Sequence, residues 1–349
     1  FEGKPFELLP WQKFVVGSLF GWKGADGYRR FRVAYVETAK GSGKSPLAAG
    51  IGMKGLVADN EPRAEVYSAA TKKDQAMILF RDAVAMVDQS PELSKRLTKS
   101  GTGERCWNLA YMAQGAFFRP ISSDDGQSGP RPHIGLIDEL HEHKTNTVVE
   151  MMRAGTKSRR QALIFMITNA GHNRMGPCWG YHEYGAKVAA GEVEDDAFFP
   201  FVCGLDESDD PFADESCWPK ANPSLQDADL PGMKYIREQV VEAKGMPSKE
   251  AIVRRLNFCQ WTDAESPWIS GEVWRGAQRD FDWQDLRGRR AVAGLDLSST
   301  TDLTGLVFLV EPIEAGVLFI LLAFSLIHYL YLQLKVDYDL AIYIDCRAE

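Results

Sequence analysis

Two short stretches of this sequence carry side chains suited to binding and cleaving a phosphoanhydride. The first is Thr38-Ala39-Lys40-Gly41-Ser42-Gly43-Lys44-Ser45, small residues around two glycines that end in a lysine and a hydroxyl. A small-residue loop running into a helix N-terminus points several backbone N–H groups at one anion, and the helix dipole adds to the attraction. In that setting Lys44 reaches the β- and γ-phosphates of ATP and the Ser45 hydroxyl ligates Mg2+. The usual phosphate-loop pattern has Gly where this chain has Thr38. The second stretch, His133-Ile134-Gly135-Leu136-Ile137-Asp138-Glu139, is an apolar run ending in two acids. Asp138 at its tip would hold the Mg2+ through water, and Glu139 would polarise the attacking water as general base. Alone, each stretch also reads as an ordinary turn. Together, in one alternating fold, they point to ATP hydrolysis. The following His141-Glu142-His143 lacks the helix or strand support of a usual zinc site, and reads as a solvated cluster at a helix start.

The elements that must position these groups alternate short apolar strands with amphipathic helices, the pattern of an α/β fold with a largely parallel sheet. Strands are expected at Phe31–Glu37, Ala64–Ala69, His133–Asp138, Leu163–Thr168 and Phe198–Cys203. Helices are expected at Ser45–Val57, Lys73–Asp88, Thr145–Thr156 and Trp179–Ala190, with a hairpin at Arg105–Pro120 inserted before the third strand. Pro46 suits the first turn of its helix, where its missing N–H would have had no helical partner. From Asp206 to about Pro223 the chain turns acidic and loop-like. Helical segments follow at Pro231–Lys244 and Ser248–Phe258, and Trp261–Arg290 reads as a packed linker. New strands open at Ala291–Leu297 and Gly305–Val310.

The 349 residues are 45% hydrophobic and 25% charged, which excludes wholesale disorder and supplies a sizeable core. A net charge of −8 means that any nucleic acid would be held by a local patch. Candidates are Arg131 and the cluster Arg153, Lys157, Arg159 and Arg160, although a charge cluster at a helix end is more often a solvated face. Six cysteines without a CxxC pair argue against a zinc ribbon or disulfide framework and suit a reducing cytosol. Ala315–Leu334 has no charged residue over twenty positions, long enough for a membrane span. Buried strands, or a strand and a core helix, give the same pattern.

Taken together, these motifs resemble the large terminase subunits of tailed double-stranded DNA bacteriophages, over nearly the whole chain to about Val310. The resemblance implies a P-loop NTPase domain with a largely parallel sheet flanked by helices, followed by a C-terminal RNase H-like α/β nuclease domain. Residues 1–262 would form the ATPase domain, with a lid subdomain at about 206–262. Residues 263–290 would be a linker, and 291–349 a partial nuclease domain. In this family an arginine precedes the last glycine of the phosphate loop by three residues, and here that position is Lys40, which keeps the charge without the bidentate fork. Pro10-Trp11-Gln12 looks like the family's adenine-contacting segment, with Gln12 reading the base edge. Thr168-Asn169-Ala170-Gly171 is similar to its coupling motif, which senses the γ-phosphate and passes strain to the lid.

Ala293–Asp302 resembles the opening hairpin of the family's nuclease, which makes Asp296 the first carboxylate of a site for two Mg2+ or Mn2+ ions and Asp302 a weaker candidate. Asp345, closing Ala341–Asp345, resembles the second carboxylate, and from about Ala315 the sequence departs from the family pattern. A two-metal site lacking an acid holds its ions poorly, so a weak nuclease is expected. The implied partners are double-stranded DNA, a portal protein and a small terminase subunit, with a homo-oligomeric ring on the portal, no membrane, and the host cytoplasm as location. Two other readings use the same motifs: a helicase-like or remodelling ATPase, and a prophage remnant that binds nucleotide without turnover.

Overall fold

The computed structural model describes residues 6–122, 129–262, 276, 283–296, 304–310 and 318–324. The chain divides into two compact units, Phe1–Gly271 and Glu272–Glu349.

The first unit is built on an eight-stranded sheet. Its strands are β1 (Val33–Glu37), β2 (Glu65–Ala70), β3 (Thr98–Ser100), β4 (Asn108–Tyr111), β5 (Ala116–Ser122), β6 (Ile134–Ile137), β7 (Leu163–Thr168) and β8 (Phe198–Val202). Their order is β3-β4-β5-β2-β6-β7-β1-β8. The six strands from β5 to β8 run parallel, and β3 and β4 extend the β5 edge antiparallel. The anticipated hairpin at Arg105–Pro120 is present as β4 and β5, paired antiparallel across the turn at Met112–Gln114, and β5 also pairs in parallel with β2 as a strand of the main sheet.

Parallel strands are apolar on both sides because helices cover both faces, and alternation along each strand assigns its residues. Ala34, Val36, Leu163, Phe165 and Leu136 face one core, shared with α1 (Pro10–Gly21), α2 (Lys44–Val57) and α3 (Lys73–Gln89). Tyr35, Ile164, Met166, Tyr67 and Ile137 face the other, shared with α5 (Thr147–Gly155) and α6 (Pro177–Ala189). Between these lies a short α4 (Pro91–Arg96). A Cβ on Gly55 of α2 would come within 2.3 Å of Ile134 Cγ1, so glycine is what lets this helix lie close against β6. That packing sets the start of α2 against the end of β6.

A third core joins α7 (Trp218–Ala221), α8 (Leu225–Ala228), α9 (Met233–Gly245) and α10 (Glu250–Phe258) to Ala39 and Ala170. The stretch from Asp206 is less loop-like than its composition suggested, since α7 and α8 fall within and just after it.

In the second unit, β9 (Ala291–Asp296), β10 (Thr304–Val310) and β11 (Leu318–Phe324) form an antiparallel sheet with β10 central. The strand β11 occupies part of the uncharged run 315–334, and no helix among the described residues is long and apolar enough to cross a membrane. Asp296 ends β9 in register with Gly305. Its side chain, Asp302 and Asp345 lie outside the described residues.

Candidate active site

The loop between β1 and α2 takes its shape from two glycines in the left-handed region, Gly41 (φ 86°) and Gly43 (φ 89°), where a side chain would be strained. Neighbouring segments hold the loop from outside. Ala39 N–H donates to Ala221 O (3.0 Å) and Lys40 N–H to Leu256 O (2.7 Å), so α7 and α10 grip its first half. The N–H groups of Gly41, Ser42 and Gly43 make no hydrogen bond among the described residues, the arrangement an anion needs. Thr38, at the position where Gly is usual, has a structural use: its hydroxyl bonds that of Ser42, which also donates to Ala39 O.

Lys44 is buried and folded back on its own loop, with Nζ against Thr38 O (2.7 Å), Ala39 O (2.9 Å) and Asn169 Oδ1 (2.8 Å). Burial pulls its ammonium below the ordinary lysine range, opposed by nearby acids that include Glu139 and Asp138. The exposed side chain of Lys40 takes no part in this packing.

Asp138 and Glu139 follow β6, two strands from β1 with β7 between. Burial first, and then the charge of Glu139, raise the Asp138 carboxyl to about 7, although it accepts the Glu139 N–H at 2.9 Å. Glu139 sits in the left-handed region at φ 48°, an uncommon conformation for this residue that turns the chain sharply back. Its Oε2 is buried and makes no hydrogen bond among the described residues, which suits an acceptor waiting for a water. His141 Nδ1 is 3.3 Å from that oxygen but bonds Thr168 Oγ1 at 3.1 Å instead. The expectation of solvated histidines is corrected here: the turn at Glu139 tucks both under the strand tip. His143 Nε2 bonds Asp138 O at 3.2 Å, and burial pushes His141 down to about 4.

Thr168 and Asn169, at the end of β7, join the two halves. Asn169 holds Lys44, while Thr168 Oγ1 also accepts the His141 N–H (3.1 Å) and its carbonyl accepts the Thr38 N–H (3.3 Å). Gln12 is 2% exposed, bonding Gly43 O through Nε2 (3.2 Å) and the Leu9 N–H through Oε1 (3.0 Å). Pro231 closes over Gly41, where a Cβ would meet it at 2.8 Å.

Sequence reasoning did not single out Glu37, the last residue of β1. Its carboxyl is fully buried and accepts hydrogen bonds from Tyr35 OH, His182 Nδ1 (2.9 Å) and Trp261 Nε1 (3.2 Å). For His182, burial works to lower the pKa, but the Glu37 hydrogen bond and charge outweigh it and the net shift is upward. A buried-strand acid just ahead of a phosphate loop was the available signal. The candidate DNA-facing cations Arg131, Arg159 and Arg160 precede the starts of β6 and β7, the end of the parallel strands opposite the phosphate loop, and two of them are held by other side chains. Arg159 bonds Glu61 Oε1 (2.9 Å) and Arg63 O (2.8 Å), and Arg160 bonds Tyr28 OH.

The donor set fits a magnesium nucleotide: free loop N–H groups, a buried lysine, a helix-start hydroxyl at Ser45, a buried acid at Asp138 and an unpaired carboxylate oxygen on Glu139. Such a constellation on a mostly parallel sheet defines a P-loop NTPase core. The chain belongs to the terminase large subunit family: the model of that family's ATPase domain matches residues 10–187, and that of its endonuclease domain residues 192–331. This is a family of ATPase and nuclease enzymes that use nucleotide and divalent metal. Among its relatives is the terminase large subunit of Enterobacteria phage HK97, 26% identical over 312 residues, which are 87% of this chain and 58% of that protein. Another is Protein YmfN of Escherichia coli strain K12, 27% identical over 183 residues, 51% of this chain and 39% of that protein. The crystal structure of the HK97 large terminase shares the fold, with a TM-score of 0.64 over 92% of this chain and 64% of that one at 24% identity. The chain thus spans about two-fifths to three-fifths of the length of these two relatives.

Proposed function

We propose that this chain is an ATP-driven motor that translocates viral double-stranded DNA into a procapsid and carries a metal-dependent endonuclease that cuts concatemeric DNA. The observation that carries the motor reading is the position of Lys44. It is held by Asn169 of the coupling segment, and that segment's Thr168 holds the turn that presents Glu139. When Lys44 turns to the phosphates of ATP it must release Asn169, so nucleotide binding and the coupling segment are mechanically linked. Ser45 and Asp138 would hold Mg2+, which would neutralise charge on the phosphates, while Glu139 takes the proton of the attacking water. Lys40 would supply a second cation, and Gln12 would reach the adenine once it releases Gly43. Asp296 and Asp345 would hold Mg2+ or Mn2+ in the nuclease. Portal protein and small terminase subunit would be the partners of a ring assembled in the host cytoplasm.

The test is steady-state ATP hydrolysis with and without linear duplex DNA, beside a strand-separation assay. DNA-stimulated turnover without strand separation is the expected result. Strand separation would move the reading to a helicase-like enzyme.

A further inference from the structure

Trp261 lies at the end of the ATPase core, three residues beyond α10, and makes contacts that a linker residue would not need. Its indole N–H donates to Glu37 Oε1 at 3.2 Å. Its ring lies over Gly171, the last residue of the coupling segment, so closely that a Cβ there would sit 3.0 Å from the ring edge. The next residue, Thr262, donates its N–H to Gly171 O at 3.4 Å. Edge-on packing against Trp179 (4.9 Å between centroids) and contact with His182 (5.4 Å) complete the pocket on α6. Trp261 also packs against two cores at once, the one under α5 and α6 and the one made by the lid helices.

These contacts place one side chain against both moving parts of the site. Glu37 immediately precedes Thr38, the first residue of the phosphate loop. Gly171 is two residues from Asn169, which releases Lys44 when nucleotide binds. A shift of residues 168–171 therefore presses on the indole, and a shift of the indole pulls on the carboxyl of Glu37, the residue that leads into the loop. From Trp261 the chain continues, in sequence, to the second unit. We propose that Trp261, hydrogen-bonded to Glu37 and seated on Gly171, is a positioning residue for ATP hydrolysis and the point at which nucleotide state leaves the ATPase core. This inference rests on the ATPase reading above and adds the output residue to it.

Two variants perturb the residue from its two sides. Trp261→Phe keeps an aromatic ring but loses the donor to Glu37, and Gly171→Ala keeps the indole N–H but pushes the ring away from the coupling segment. The readouts are ATP turnover and the difference in tryptophan emission between protein saturated with a non-hydrolysable Mg2+-ATP analogue and with Mg2+-ADP. Trp261→Phe is expected to lower kcat about tenfold, the effect of losing one hydrogen bond to a charged group, and Gly171→Ala to lower kcat as well, each with KM for ATP within about twofold of wild type. The emission difference is expected in wild type and lost in Trp261→Phe. Unchanged kcat in Trp261→Phe, or an emission difference that persists there at full amplitude, would overturn the proposal. A rise in KM with kcat intact would overturn it too, since that describes a binding or folding role. If wild type binds nucleotide without turning it over, the ATPase reading and the positioning role fail together, and the emission measurement still decides whether Trp261 is where nucleotide state leaves the core.

Discussion

The proposed Mg2+ role requires Asp138 to be ionised, yet in the ligand-free protein its surroundings resist that charge. Burial and the adjacent Glu139 raise its carboxyl from 3.8 to about 7, and the residue is only 6% exposed. For a group whose pKa is raised on folding, the stabilising contribution is complete below the unfolded value and is lost as pH climbs through the folded one. A shift of about three units corresponds to about 4 kcal/mol at pH 8 and about 1.5 kcal/mol at pH 5. Asp138→Asn removes the charge and keeps an oxygen to accept the Glu139 N–H. The variant is therefore expected to be more stable than wild type by roughly 2–4 kcal/mol at pH 8, a melting midpoint roughly 5–10 °C higher, while ATP turnover is lost. By pH 5 the gain should shrink by half or more. Thermal and urea denaturation of both proteins at the two pH values, without nucleotide or divalent metal, give the comparison. A variant no more stable than wild type at pH 8, or a gain independent of pH, would refute the reasoning.

Gly55→Ala should destabilise the protein by about 1–2 kcal/mol in urea denaturation even though alanine favours helix, because the new methyl meets Ile134. An increase in stability would mean that α2 has room to move off β6. The pKa of His182 is raised above 6.5 through Glu37 despite its burial, so its contribution is complete below that value and is lost as pH rises through the folded one. The stability gap between wild type and His182→Gln should accordingly narrow from pH 6 to pH 8.5, and a constant gap would show that the histidine acts only by packing.

The sequence made the site's contiguous parts legible. A phosphate loop and a strand-end acid pair are local patterns, since the chemistry needs those residues side by side. Strands such as Leu163–Thr168 read directly because both faces are buried and the run is apolar throughout. What stayed hidden depends on distant partners. Glu37 meets Trp261 across more than two hundred residues, so neither the acid nor the tryptophan announces its role, and Trp261 read as part of a packed linker. The two histidines looked solvated because nothing local reveals the left-handed turn at Glu139 that carries them inward. Helix α1 was missed for a related reason. Its buried residues include Gln12 and Ser18, while Phe14 is 58% exposed, which blurs any apolar stripe.

The central claim is that the constellation around Lys44 and Glu139 hydrolyses ATP with Glu139 as the base. Steady-state ATP hydrolysis by wild type and Glu139→Gln, in Mg2+ and with linear duplex DNA present, tests it most directly. The account predicts turnover in wild type and a loss of at least about a hundredfold in Glu139→Gln, with nucleotide still bound. Turnover in Glu139→Gln equal to that of wild type would contradict it.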